Sequence, residues 1–173
     1  IALQQKISSV RARGITPKMF QYNLVQKARD ARKHIVLPEG NDERILKAAE
    51  ILIEQDIVKL TILGKPEEVK NLIARHGVRI DTEQVPIINP AESDYLESFI
   101  DRYVEIRKSK GATRDNARDA LVDVSYFGTM MVLEGLADGM VSGAAHTTQH
   151  TIRPAFQLIK TKPGVSIVSS VFF

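Results

Sequence analysis

Apolar residues follow two alternating spacings along this chain, and the alternation predicts a succession of helices and strands. Apolar positions three and four apart are typical of amphipathic helices, whereas short continuous apolar runs between turn residues are typical of buried strands. Helices are predicted over residues 16–33, 42–55, 66–76, 92–110, 114–122, 124–135 and 149–160. Strands are predicted over residues 34–37, 58–63, 86–88, 138–143 and 165–172.

The order of these elements predicts the fold class. Strand and helix alternate three times in the first half of the chain, a pattern typical of parallel strands joined by right-handed helical crossovers. We therefore expect an α/β fold with three layers, α/β/α, around a mainly parallel sheet. Residues 1–15 are expected to be a linker or the remnant of a preceding domain, and residues 16–163 a first α/β domain.

The last ten residues are expected to belong to a second domain. A break at Lys162-Pro163-Gly164 is the best candidate for a hinge, and the chain then stops in mid-strand on two phenylalanines. Residues 164–173 are therefore predicted to be the opening strand of a second domain whose remainder lies outside this chain. The alternative is that this strand is the last of a complete sheet.

Composition excludes several classes of protein. Hydrophobic residues make up 43% of the chain, which is enough to build a core, and the absence of Cys excludes a disulfide scaffold, a Cys-ligated zinc module and a thiol nucleophile. The net charge of +3 is scattered, so we expect no nucleic-acid partner. No apolar stretch reaches the roughly 18 residues of a membrane span, so we expect no membrane partner. His146 and His150 lack a third ligand, so no metal site is expected.

A small-residue loop is the strongest candidate for a ligand site. Residues 141–148 lead from a predicted strand through Gly143 and two alanines into a helix, an arrangement whose backbone amides attract anions. Arg153 would add a guanidinium group suited to phosphate. Three hydroxyl donors flank the loop: Ser142, Thr147 and Thr148. The same residues would also form a plain tight connection, with His146 as a hydrogen-bonded loop residue rather than a base.

Two further segments carry charges that have an alternative, structural explanation. Residues 105–111 place Arg107 and lysines at the end of a predicted helix, where basic side chains are favoured by the helix dipole in any case. Residues 38–44 place acidic side chains after a strand, where Asp42 and Glu43 could line a crevice or simply cap the next helix.

Several segments together resemble phosphate acetyltransferases. The similar segments are residues 141–164 (VSGAAHTTQHTIRPAFQLIKTKPG), 35–49 (IVLPEGNDERILKAA), 105–111 (EIRKSKG) and the closing SSVFF. Residues 14–29 (GITPKMFQYNLVQKAR) are similar to the segment before the catalytic region in the long, multidomain form. The resemblance implies two α/β domains with the active site between them. This chain would then be the N-terminal part of the catalytic region, with an incomplete first domain, because the resemblance implies that a segment from the far C-terminal end completes it.

The resemblance also implies an activity and its residues. The implied enzyme is an acyltransferase that interconverts acetyl-CoA and phosphate with acetyl phosphate and CoA, by direct thiolate attack on the acetyl carbonyl. It implies CoA as a substrate, no permanently bound cofactor, a cytoplasmic location and a homo-oligomer. Arg153 matches a catalytic arginine. The residues expected to bind substrate are Arg107, Ser142, Gly143, His146, Thr147 and Thr148. The general base would lie beyond Phe173, so this chain alone is expected to be inactive.

Three alternatives to that enzyme remain open on the sequence. A phosphate butyryltransferase shares the fold and would differ in its acyl pocket. A non-catalytic, acyl-CoA-sensing domain, like the one attached to some malic enzymes, would keep the fold and lose the substrate arginines; the presence of Arg107 and Arg153 favours the enzyme. A bare assembly domain would only mediate contacts between subunits.

Overall fold

Four parallel strands form a sheet in the part of the chain that the structure describes. The computed structural model describes residues 16–168. The strands are β1 (His34–Leu37), β2 (Lys59–Leu63), β3 (Ile87–Ile88) and β4 (Gly139–Met140). They pair in the order β3-β2-β1-β4, all parallel, with Val36 of β1 opposite Thr61 on one side and Met140 on the other. The predicted parallel sheet is confirmed.

Seven helices connect and cover the strands in this part of the chain. They are α1 (Pro17–Ala31), α2 (Glu43–Glu54), α3 (Pro66–Arg75), α4 (Leu96–Arg107), α5 (Arg114–Leu121), α6 (Val124–Leu133) and α7 (Thr148–Leu158). Side-chain caps fix several starts. Thr16 accepts a hydrogen bond from the amide of Met19, and Thr113 forms a reciprocal capping box with Asn116.

The two faces of the sheet carry separate hydrophobic cores, which gives the predicted three layers. Leu37, Leu60 and Ile62 face α2 and α3. Val36 and Leu63 face α4 to α7, because successive side chains of a strand point to opposite faces. On that second face Phe127 is fully buried, with its ring centroid 5.0 Å from that of Phe99. Burial of one such side chain stabilises the fold by about 1.5–3 kcal/mol.

Two glycines let backbone segments approach the sheet closely. A Cβ on Gly128 of α6 would lie 2.7 Å from Sδ of Met140 and 3.3 Å from Cγ1 of Val36, so a side chain here would force at least Met140 to move. A Cβ on Gly40 would lie 2.5 Å from Cγ2 of Ile62 and 2.6 Å from the carbonyl oxygen of Leu63. Gly40 therefore holds the turn after β1 against β2, and with it the preceding residue, Glu39.

Three predicted elements differ from the structure. The helix predicted from residue 92 begins at Leu96, because Asn89 and Ser93 accept hydrogen bonds that close short turns before it. The strand predicted over 138–143 is confined to residues 139–140: the amide of Val141 still bonds the Val36 carbonyl group, and from Gly143 onward the amides bond Glu39 instead. Residues 165–168 are exposed and form no strand, so that prediction is wrong for them.

Parts of the predicted domain organisation lie outside the described residues. Residues 1–15, predicted as a linker or domain remnant, and 169–173, predicted as part of a strand, are among those left undescribed. The boundary at residues 163/164 stays a prediction. Among residues 16–168, no helix has both the length and the apolar character needed to cross a membrane.

Candidate functional site

The turn after β1 and the loop after β4 meet at the carboxyl edge of the sheet, around one buried carboxylate. Glu39 is fully buried. Its Oε2 accepts hydrogen bonds from the amides of Gly143 (2.9 Å) and Ala144 (2.8 Å). Its Oε1 accepts from the amides of Ala145 (2.9 Å) and His146 (2.8 Å), and lies 2.9 Å from Nδ1 of His146. We call residues 143–146 the amide loop.

Glu39 remains ionised in this setting. Burial raises the pKa of a carboxyl group, but the hydrogen bonds from the four amides outweigh burial and lower the pKa of Glu39 to about 2. The loop thus binds an anion, as its composition suggests, but the anion is a side chain of the same chain. In this structure the amides of Gly143 and His146 bond the Glu39 carboxylate, which follows β1. The predicted part of these two residues in substrate binding stays a prediction.

A chain of polar contacts connects the amide loop with the start of α6. The rings of His146 and His150 stack with their centroids 4.6 Å apart and an interplanar angle of 13°. Nε2 of His150 lies 3.0 Å from Oδ2 of Asp123. Asp123 also caps α6 by accepting hydrogen bonds from the amides of Ser125 and Tyr126. These contacts therefore fix the position of the loop relative to the first turn of α6.

The hydroxyl groups predicted to bind substrate fall into two sets. Thr147 caps α7 by accepting a hydrogen bond from the amide of His150, at 3.2 Å. The hydroxyl oxygens of Ser142 and Thr151 lie 3.3 Å apart. Both groups are therefore engaged in holding the start of α7. Thr148, the first residue of α7, is exposed instead.

Arg107 and Arg153, far apart in sequence, both lie near Tyr126. The guanidinium carbon of Arg107 lies 6.0 Å from the ring centroid of Tyr103, whose ring is 6.4 Å from that of Tyr126. Burial raises the pKa of Tyr126, and the positive charges of Arg153 and Arg107 oppose that rise. The Tyr126 hydroxyl donates a hydrogen bond to Gln157, at 3.0 Å. We call Arg107, Tyr103, Tyr126 and Arg153 the arginine surface.

The arginine surface is open to an external ligand. Within residues 16–168, neither Arg107 nor Arg153 has a carboxylate at ion-pair distance, whereas Arg102 binds both Glu105 and Glu134. Arg153 is exposed and borders a hollow of about 800 Å³. The hollow is lined by Thr148, Gln149, Ile152, Arg153, Phe156 and Gln157. Residues 16–168 as a whole contain no cluster of three or more potential metal ligands.

Glu39 is the residue that the sequence analysis overlooked. Residues 38–44 were expected to reach the crevice or to cap a helix, and Asp42 does cap α2 by accepting from the amide of Arg44, at 2.8 Å. A detectable signal was present in the sequence: a single acid between a buried apolar strand and a glycine. In a parallel sheet, such an acid lies at the same edge as a Gly-Ala-Ala loop that ends another strand.

The fold and the arginine surface together define an α/β protein in which two arginines have no carboxylate partner among residues 16–168. The family model described as phosphate acetyl/butaryl transferase matches residues 19–173. The chain therefore belongs to this family, as the resemblance predicted.

Known proteins of similar sequence and structure carry consistent names. A phosphate acetyltransferase of Synechocystis sp. is 54% identical over 167 residues, which are 96% of this chain and 24% of that protein. One from Corynebacterium glutamicum is 50% identical over 91% of this chain and 47% of its own length. The crystal structure of a phosphotransacetylase from Streptococcus pyogenes matches with a TM-score of 0.81 and 44% identity, over 88% of this chain and 45% of that one. The chain thus spans a quarter to a half of these relatives.

Proposed function

We propose that this chain supplies part of the active site of a phosphate acetyltransferase, which interconverts acetyl phosphate and CoA with acetyl-CoA and phosphate. One observation carries the proposal: two arginines from distant parts of the sequence lie around Tyr126 and have no carboxylate partner within residues 16–168. The names of the relatives support it. The reaction handles only anionic substrates, so unpaired guanidinium groups fit its needs.

The chemistry assigns different tasks to the two arginines. A base takes the proton of the CoA thiol, and the thiolate so formed attacks the acetyl carbonyl. The new S–C bond forms, the bond from the carbonyl carbon to the phosphate oxygen breaks, and phosphate leaves. Negative charge collects on the carbonyl oxygen and the leaving phosphate, where Arg153 and the N-terminus of α7 would stabilise it. Arg107, half-buried against Tyr103, would bind substrate. We assign the base to no described residue.

The other predicted site residues fit a supporting role in this scheme. Thr148 borders the hollow beside Arg153 and is proposed to donate a hydrogen bond to the phosphate. Ser142, Gly143, His146 and Thr147 are proposed to act on substrate through the position of α7, since their polar groups bond within the chain. We further propose that the whole protein is a cytoplasmic homo-oligomer with CoA as substrate, no tightly bound cofactor, and no nucleic-acid or membrane partner.

A phosphate butyryltransferase is the second candidate. Ile152 and Phe156 line the hollow beside Arg153 with apolar surface, which would accept a longer acyl chain. The acetyltransferase is preferred because relatives that are 50–54% identical bear that name.

The test is a rate measurement on a protein of full family length that carries this chain. Formation of acyl-CoA from CoA is measured with acetyl phosphate and with butyryl phosphate. A higher kcat/KM with acetyl phosphate supports the proposal, and a preference for butyryl phosphate supports the second candidate. Binding of acetyl-CoA without turnover of either acyl phosphate would contradict both and indicate a sensor. The present chain on its own is expected to show no turnover.

A further inference from the structure

The buried carboxylate of Glu39 has no direct part in the proposed chemistry. It is fully buried, and its two oxygens are occupied by four amides and the ring of His146. It does not line the hollow beside Arg153. Yet it bonds the loop that leads into α7, the helix that carries Arg153.

The segment from Glu39 to Arg44, which joins β1 to α2, bonds both the amides and a carbonyl group of the amide loop. Glu39 accepts hydrogen bonds from the loop's donors, while the guanidinium group of Arg44 donates one to its carbonyl group at Ala144. Arg44 is itself held by both carboxylate oxygens of Asp42. The donors and one acceptor of the loop are therefore satisfied by a single short segment, which lies about a hundred residues away in sequence.

We propose that Glu39 is a positioning residue for acyl transfer: its carboxylate fixes residues 143–146 and thereby sets where α7 presents Thr148 and Arg153. The inference rests on the proposed function. The stack of His146 on His150, and the contact of His150 with Asp123, extend this control to the first turn of α6, where Tyr126 lies. The contacts of one carboxylate thus reach the start of α7, which carries Arg153, and the first turn of α6, which carries Tyr126.

Only a glutamate satisfies this geometry. A carboxylate is purely an acceptor and offers lone pairs to four donors at once. In a glutamine, one of the two oxygens is replaced by an NH₂ group. The two backbone amides on that side would then face another donor and lose their acceptor. Aspartate keeps the charge but is shorter by one methylene group, so it cannot reach all four amides.

The first experiment compares Glu39→Gln with Glu43→Gln in a protein of full family length that carries this chain. Glu43 lies four residues further along, on the exposed side of α2, so it serves as the matched control. For acetyl phosphate and CoA, kcat per folded molecule should fall at least about tenfold in Glu39→Gln and less than about twofold in the control. Equal kcat in the two variants would overturn the proposal.

A double-mutant cycle separates positioning from a general loss of structure. If Glu39 acts through the position of Arg153, Glu39→Gln should lower kcat far less in an Arg153→Ala background than in the wild type, because coupled residues are not additive. The same factor in both backgrounds would indicate a purely structural residue. If Glu39→Gln does not fold, Arg44→Ala takes its place in the cycle: it removes the contact with Ala144 from an exposed side chain, and the same non-additivity is expected at smaller amplitude.

A second readout does not depend on activity. Amide hydrogen exchange at residues 143–150 should be faster in Glu39→Gln, or in Arg44→Ala, than in the wild type, and unchanged in Glu43→Gln. Unchanged exchange in the variants would overturn the proposal. An inactive wild type would contradict the proposed function, whereas an active wild type with an equally active, well-folded Glu39→Gln would contradict the positioning role alone.

Discussion

The amide loop and the arginine surface lie at opposite ends of one chain of contacts, and they satisfy their charges in opposite ways. In the loop, four amide donors surround a carboxylate of the same chain, and its pKa is lowered to about 2. At the arginine surface, Arg107 and Arg153 have no carboxylate partner among residues 16–168. The charge in the loop is satisfied within the chain, whereas the charges at the surface are left for the ligand that we propose.

The comparison separates two kinds of site that both suit an anion: the amide loop, where an internal carboxylate has a structural part, and the arginine surface, which we propose binds substrate. A buried charge is tolerated only when its hydrogen bonds are fully met, so the Glu39 cluster contributes order and has no spare donor. Exposed guanidinium groups remain hydrated until an anion arrives. Changes in the loop should therefore alter stability and geometry, whereas changes at the surface should alter rates and affinities.

The largest expected effect is on catalysis at the arginine surface. Arg153→Ala should lower kcat about 100-fold, the scale of one lost transition-state contact worth about 2.7 kcal/mol. The assay is acetyl-CoA formation by the full-length protein, with Arg75→Ala as the control because Arg75 is an exposed arginine at the end of α3, on the other face of the sheet. A well-folded Arg153→Ala variant with wild-type kinetics would remove Arg153 from the site.

The next effect is on stability beside the loop. Gly40→Ala should lower the free energy of unfolding by about 2 kcal/mol, the scale of overpacking a core, because its Cβ would meet Ile62 at 2.5 Å. Gly139→Ala is the control, since its Cβ would make an ordinary contact with Ile35 at 3.5 Å. Urea unfolding of the two variants measures the difference. Equal stabilities would show that the turn after β1 is not held tightly.

A smaller effect is expected on substrate binding. Arg107→Ala should raise KM for acetyl phosphate or CoA about tenfold with kcat little changed, as expected for loss of one hydrogen bond to a charged group. Arg102→Ala, on the same helix, loses only the ion pairs with Glu105 and Glu134 and should leave both KM values near wild type. Unaltered KM values in Arg107→Ala would limit the arginine surface to Arg153.

The smallest effect concerns pH. The pKa of Glu39 is about 2 in the folded chain against 4.5 for an ordinary glutamate, so its contribution to stability is present above pH 4.5 and lost as pH falls toward 2. Between pH 5 and pH 4, wild type should lose on the order of 0.5–1 kcal/mol more stability than Glu39→Gln. Urea unfolding at the two pH values measures this. A carboxyl ¹³C resonance of Glu39 that titrates near pH 4.5 would contradict the closed state of the loop.

Local sequence was sufficient for most of the elements. The apolar run at residues 34–37 became β1 with the predicted bounds, and Thr16 and Thr113 cap helices because their hydroxyl groups need only a nearby amide. Predictions failed where an element depends on distant partners. The predicted strand after Asp138 does not extend to Gly143, whose amide bonds Glu39. Residues 165–168 pair with no strand in the described part of the chain.

By itself, the sequence determined the α/β alternation, the loop's affinity for an anion and the family. These depend on local spacing and on short motifs that follow one another in a fixed order along the chain. Only the tertiary structure decided which anion the amide loop holds and which arginines are unpaired. Glu39 and Gly143 are 104 residues apart in sequence, yet the fold brings Oε2 of Glu39 to 2.9 Å from the amide nitrogen of Gly143. Pairing of charges across such a separation is set by the register of β1 and β4, which no local pattern encodes.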